Sequence, residues 1–136
     1  MVKRRRGART ARPRHRHHRP FEELVAGALA AIPEPFASAL DEVAVVIADE
    51  PSPDQRREND IAPDETLYGL YEGVPRTEWG ADWAPIPNRI TLFRLPLEED
   101  YPDPEDLADE VWVTVIHELA HHLGIDDARL EELGID

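Results

Sequence analysis

His117-Glu118-Leu119-Ala120-His121-His122-Leu123-Gly124-Ile125-Asp126-Asp127 (HELAHHLGIDD) is the most tightly patterned run in the chain. Two histidines stand four residues apart, a glutamate directly follows the first, and a glycine and two aspartates close the run. On a helix, residues i and i+4 lie one above the other, about 5–6 Å apart at Cβ. Two imidazoles so placed can converge on one zinc ion at about 2.0–2.1 Å, which makes His117 and His121 candidate ligands. His122 is rotated by a further 100° or so and reads as a solvated or capping residue. Glu118 is too close along the chain to ligate comfortably, yet it borders the same cleft. From there a carboxylate can take a proton from a water at the metal. A third donor requires the chain to turn back within one helical turn. Glycine permits that reversal, so Asp127, three residues after Gly124, is the expected third ligand, with Asp126 and Glu131 as weaker candidates.

Working outward, the same stretch is the end of a long helix. Asp103-Pro104-Glu105-Asp106 starts it with a capping aspartate, proline at the first position and acids in the first turn. Val111-Trp112-Val113-Thr114-Val115-Ile116 has strand propensity. However, Leu107, Val111, Val115 and Leu119, with Ala108, Trp112, Ile116 and Leu123, repeat at helical spacing, and the period decides for a helix ending at Leu123. Gly124 should stop it in a left-handed conformation, with Ile125 packing back on Leu119 or Ala120. Ala128–Leu133 reads as one last short helix.

Upstream, Pro20 and two glutamates open a helix whose apolar residues run from Phe21 to Ile32, and Pro33 and Pro35 end it. A short helix follows over Phe36–Leu40. Val43–Ala48 is an unbroken β-branched run, expected to be a strand covered on both faces. Residues 49–60 read as a polar loop. Thr66–Gly73 and Arg89–Leu95 read as strands whose edges are open to a peptide. Between them lies a loop rich in Pro, Gly and Trp, long enough for a functional role. The element order predicts an α+β fold: a small mixed β-sheet of three to four strands, with helices packed on one face.

The composition narrows the chemistry. The chain has 136 residues and no cysteine, which suits one domain over residues 20–136 and restricts metal ligation to histidine and carboxylate. The net charge of −14 is split unevenly: residues 1–20 hold nine of the fifteen Lys and Arg and no acid, and the other residues hold six arginines against 29 acids. Residues 1–19 therefore read as a disordered basic tail. His15, His17 and His18 lie in it and at most bind a metal loosely. The acidic remainder repels phosphate backbones, so nucleic acid is expected only at the tail. No run of 18 apolar residues is present, so no membrane span is expected. The expected location is the cytoplasm and the expected state a monomer.

The match to H-E-x-x-H-x-x-G-x-x-D, with aspartate as the last ligand, resembles the small bacterial zincin-like, or minimal metallopeptidase-like, family. Val43–Gln55, Leu67–Gly80, Pro87–Asp100 and Val113–Ile125 are similar to segments of that family as well, so the likeness spans roughly residues 20–136. The resemblance implies a compact zincin-like fold with the active-site helix near the C-terminus, zinc as cofactor, and a peptide or protein substrate. It implies His117, His121 and Asp127 as metal ligands and Glu118 as general base. The larger metzincin relatives carry a methionine turn beneath the metal, whereas the only methionine here is Met1. Tyr68, Tyr71 and Tyr101 are candidates to stabilise an oxyanion. Two other readings remain open: a non-catalytic zinc-binding protein, and a metal-dependent endoribonuclease resembling the rRNA-maturation enzymes, which carry H-x-x-x-H-x-x-G-x-D-H.

Overall fold

The computed structural model describes residues 3–5, 20–73 and 88–134. The His15, His17 and His18 cluster and most of the Trp-containing loop lie outside these residues. The elements, in chain order, are β1 (Lys3–Arg5), α1 (Phe21–Ala30), α2 (Phe36–Ala39) and a 3-10 turn (Leu40–Glu42). There follow β2 (Ala44–Ala48), α3 (Pro53–Glu58), β3 (Glu65–Leu67), β4 (Gly69–Glu72) and β5 (Arg89–Phe93), then α4 (Arg94–Asp100), α5 (Pro104–Leu123) and α6 (Asp127–Glu132). The architecture is the expected small mixed α+β fold, with a three-stranded sheet and a separate two-stranded one.

In the three-stranded sheet the order is β2-β5-β4. β2 runs parallel to β5, from Ala44 opposite Arg89 to Ala48 opposite Phe93. β4 runs antiparallel to β5, from Gly69 opposite Leu92 to Glu72 opposite Arg89. β5 is thus central, not an edge, and Arg89–Leu95 offers no free edge to a peptide. The strand also ends at Phe93, and Arg94 onward coils into α4. The doubly covered strand is β5 and not β2. Ile90 and Leu92 enter the main core, whereas Phe93 joins a second cluster with Ile61, Leu67 and Leu70. β2 lies at the sheet margin, and Val46 is 39% exposed. The apolar run 43–48 marked a strand correctly, but only the pairing order decides which strand is in the middle.

α5 is the central helix, packed against α1 and α2 and against β4 and β5. Val111, Val115, Ile116 and Leu119 are completely buried. Burying each such side chain stabilises by about 1.5–3 kcal/mol, whereas a β-branched residue costs a helix at most about 0.7 kcal/mol. Burial therefore overrides the strand propensity of this segment. The Asp103 side chain accepts hydrogen bonds from Glu105 N and Asp106 N, as its sequence signature implied.

Besides α4, two further elements were not anticipated. Residues 53–58 form α3, opened by a capping box in which Ser52 and Gln55 bond each other reciprocally. The Ser-Pro-x-Gln pattern carrying that box is present in the sequence. Lys3–Arg5, assigned to the tail, instead pairs antiparallel with β3: Lys3 faces Leu67, Arg4 faces Thr66, and Arg5 faces Glu65. Among the described residues, no helix is long and apolar enough to cross a membrane.

Candidate metal centre

The last two turns of α5 carry the motif, and what they face depends on how closely β4 approaches. A Cβ built on Gly69 would lie 2.6 Å from the Thr114 methyl, so glycine is what lets the strand lie directly against the helix. At that separation the outward edge of β4 meets the motif. Tyr71 N donates to Glu118 Oε1 at 2.9 Å, and the same carboxylate oxygen is 3.5 Å from His121 Nδ1. Glu118 is only 2% exposed. A buried carboxylate needs such donors, because desolvation without them costs several kcal/mol. The strand backbone thus fixes Glu118 at the border of the cleft, and the sequence offered no sign of that backbone donor beyond the glycine in the strand pattern.

His117 lies one turn earlier and is largely buried, and its Nδ1 is 3.9 Å from Asp127 Oδ1. His121 is 41% exposed and Asp127 is 81% exposed. Asp127 reaches this position because Gly124 adopts φ 75° and ψ 25° and Ile125 N donates back to Ala120 O at 2.8 Å, closing α5 as expected. Ile125 packs against the main core. Asp126 accepts from Arg129 N and so caps α6, which leaves Asp127, rather than Asp126, turned toward His117.

Among the described residues, no three His, Asp or Glu side chains are gathered tightly enough to grip one ion. In residue type, two imidazoles and a carboxylate, the set nevertheless suits zinc. Two donors held at about 2.0–2.1 Å by a tetrahedral ion stand about 3.3 Å apart, so the His117–Asp127 pair is within reach of that spacing by rotation of an exposed carboxylate. His117 Nε2 is buried and its ring presents Nδ1 to Asp127. The C-terminal end of a 20-residue helix is also a place of negative potential that favours a cation.

His122 departs from expectation. It is neither solvated nor a cap but completely buried. Its Nε2 is 2.7 Å from Glu42 Oε1 and its Nδ1 is 3.0 Å from the Tyr71 hydroxyl, which donates to Asn88 Oδ1 at 3.1 Å. The rotation that turns it off the ligand face points it inward, where it ties together the 3-10 turn, α5, β4 and the start of β5.

None of the three tyrosine hydroxyls stands out as an oxyanion donor. Tyr71 is engaged as above. Tyr68 donates to Asp100 and packs edge-on against Tyr101, ring centres 5.8 Å apart. Burial, then the hydrogen bond to Asp100, pushes the Tyr68 phenol well above its ordinary value. Burial and a hydrogen bond to Glu110 raise that of Tyr101.

A family model described as zincin-like metallopeptidase matches residues 40–135. That span contains the whole motif and every strand of the three-stranded sheet, and the chain belongs to this family. No curated protein matches the chain.

Proposed function

We propose that this member of the zincin-like metallopeptidase family is a zinc-dependent peptidase whose centre is His117, His121 and Asp127, with Glu118 as general base. The observation that carries the reading is the Glu118 carboxylate, buried at 2% exposure, fixed by Tyr71 N at 2.9 Å and beside His121 at 3.5 Å. A surface acid would not be buried and oriented by a strand edge next to two histidines one turn apart.

Bound by those three side chains, zinc would supply a Lewis acid for the scissile carbonyl and the attacking water. The chain's own residues do the rest. Glu118 accepts a proton from the attacking water and hands it to the leaving amine, a role worth typically 10²–10⁴-fold. The Tyr71 N–H holds that carboxylate in one orientation. The outward edge of β4 supplies main-chain groups against which an extended peptide can align.

The test is metal analysis and peptide cleavage on the purified protein beside Glu118→Gln and Asp127→Ala. Glu118→Gln should keep its zinc and lose cleavage by about 10²–10⁴-fold. Asp127→Ala should lose both. Full cleavage by Glu118→Gln would end the general-base assignment, and equal zinc content in Asp127→Ala would remove that ligand. Cleavage of RNA but not peptide would favour the endoribonuclease reading. A zinc content that shifts the melting temperature, with no cleavage of either, would favour the non-catalytic one.

A further inference from the structure

β1 comes from the basic end of the chain, yet it is seated beside the motif. It extends β3, and β3 is followed, after Tyr68 alone, by β4, whose edge holds Glu118. The antiparallel register puts Lys3 at the β4 end, where its Nζ donates to Asp60 O at 2.6 Å. The Arg4 guanidinium lies over the Tyr68 ring, 5.2 Å from its centre. It lines one cleft together with Glu110, His117 and Glu118. With Arg4 in place, the space left there is about 30 Å³, room for one or two waters and not for a peptide.

We propose that the cleft between β4 and α5 takes an extended segment bearing a basic side chain, and that the chain's own N-terminal strand is its resident occupant. The proposal deepens the peptidase reading, because it names basic peptides as the substrate class of that same site. Three observations converge on it. The occupant binds by strand pairing, the mode in which main-chain bonds provide affinity and side-chain pockets provide selectivity. The side chain at the cleft is an arginine, stacked over the Tyr68 ring in a lining that also includes the Glu110 carboxylate. Beyond residue 20 the chain carries six arginines against 29 acids, a field that draws a cationic segment toward it. Occupancy by the chain's own strand then holds the site closed, and an incoming basic peptide has to displace it.

The experiment uses the full chain and a labelled synthetic peptide of residues 1–8, Met-Val-Lys-Arg-Arg-Arg-Gly-Ala, with binding read by fluorescence anisotropy. Arg4→Glu in the protein weakens the resident strand and should raise peptide affinity about tenfold or more over the native chain, since an intramolecular competitor is removed. Adding Glu110→Gln to that background should abolish the gain. A control peptide with serine in place of the three arginines and the lysine should bind neither protein. Arg4→Ala, which keeps the strand's backbone but not its charge, should give an intermediate gain. Equal affinity for the native and Arg4→Glu chains, or equal binding of the serine peptide, would overturn the proposal. Binding is read without turnover. Tight binding of the basic peptide without cleavage would therefore count against the peptidase reading alone, and cleavage with no basic preference would count against this inference alone.

Discussion

His121 and His122 are neighbours in sequence, and the structure uses them in opposite ways. His121 stays 41% exposed on the face that carries His117, whereas His122 is completely buried between Glu42 and Tyr71. One step along a helix is a rotation of about 100°, enough to move a side chain from a cleft into the core. The first position stays at the surface beside Glu118, its Nδ1 3.5 Å from that carboxylate. The second spends its nitrogens on a network that joins four elements. A motif histidine is therefore defined by the face it shares and not by its place in a run of histidines.

The sharpest way to break this contrast is to exchange the two losses. His121→Ala should lower zinc affinity by on the order of 10²-fold or more, since even residues behind the ligands are worth 10–100-fold. It should leave the stability of the metal-free protein within about 0.5 kcal/mol, as expected of an open position. His122→Ala should do the reverse and destabilise by about 2–4 kcal/mol, because it removes a completely buried ring that links Glu42 to the Tyr71 hydroxyl and opens a cavity. Denaturant unfolding without metal, paired with zinc titration, reads both. Equal stability losses would mean that the two faces are not distinct.

The next effect concerns how β4 is brought to the motif. Gly69→Ala should cost about 1–3 kcal/mol by overpacking against the Thr114 methyl, 2.6 Å from the added Cβ. Thr114→Ser removes that methyl and should restore most of the loss. Thermal unfolding of the single and double variants decides it, and no rescue would mean that the clash lies elsewhere.

Smaller still is the turn that aims Asp127. Gly124→Ala forces a Cβ onto a backbone at φ 75° and should cost about 1–2 kcal/mol. Zinc titration should also show weaker binding in this variant. The smallest expected effect separates the motif from the aromatic pair beside it. Tyr68 and Tyr101 have raised phenol values in the fold, owing first to burial. Their unfolded value is near 10, so the stability they contribute is complete below about pH 10. It falls as pH rises past it, because the unfolded chain releases those protons first. Tyrosinate absorbance should show part of the three tyrosines ionising only as the protein unfolds. Three free titrations near pH 10 would refute the burial.

Much of the fold was legible because it is local. The Asp103 cap, the period of α5, the left-handed Gly124 and the order of His117, Glu118 and His121 each depend on residues within a turn or two. The elements missed were of two kinds. α3 was announced by its capping box and overlooked among polar residues. The short extent of β5, the exposed face of β2 and the strand at Lys3–Arg5 had no comparable signal. Strand pairing joins residues as far apart as Arg4 and Thr66, and no local pattern names the partner.

The sequence alone determined the chemistry on offer: two imidazoles at helical spacing, a carboxylate between them, a glycine turn and an aspartate beyond it. The tertiary structure decided what surrounds that chemistry. It set which edge of the sheet meets Glu118, buried His122 and paired a basic strand with β3 so that Arg4 lines the cleft. The division follows from range. Helix period, capping and turn geometry are fixed by neighbours in the chain, whereas pairing order and the burial of polar groups are fixed by contacts between distant segments.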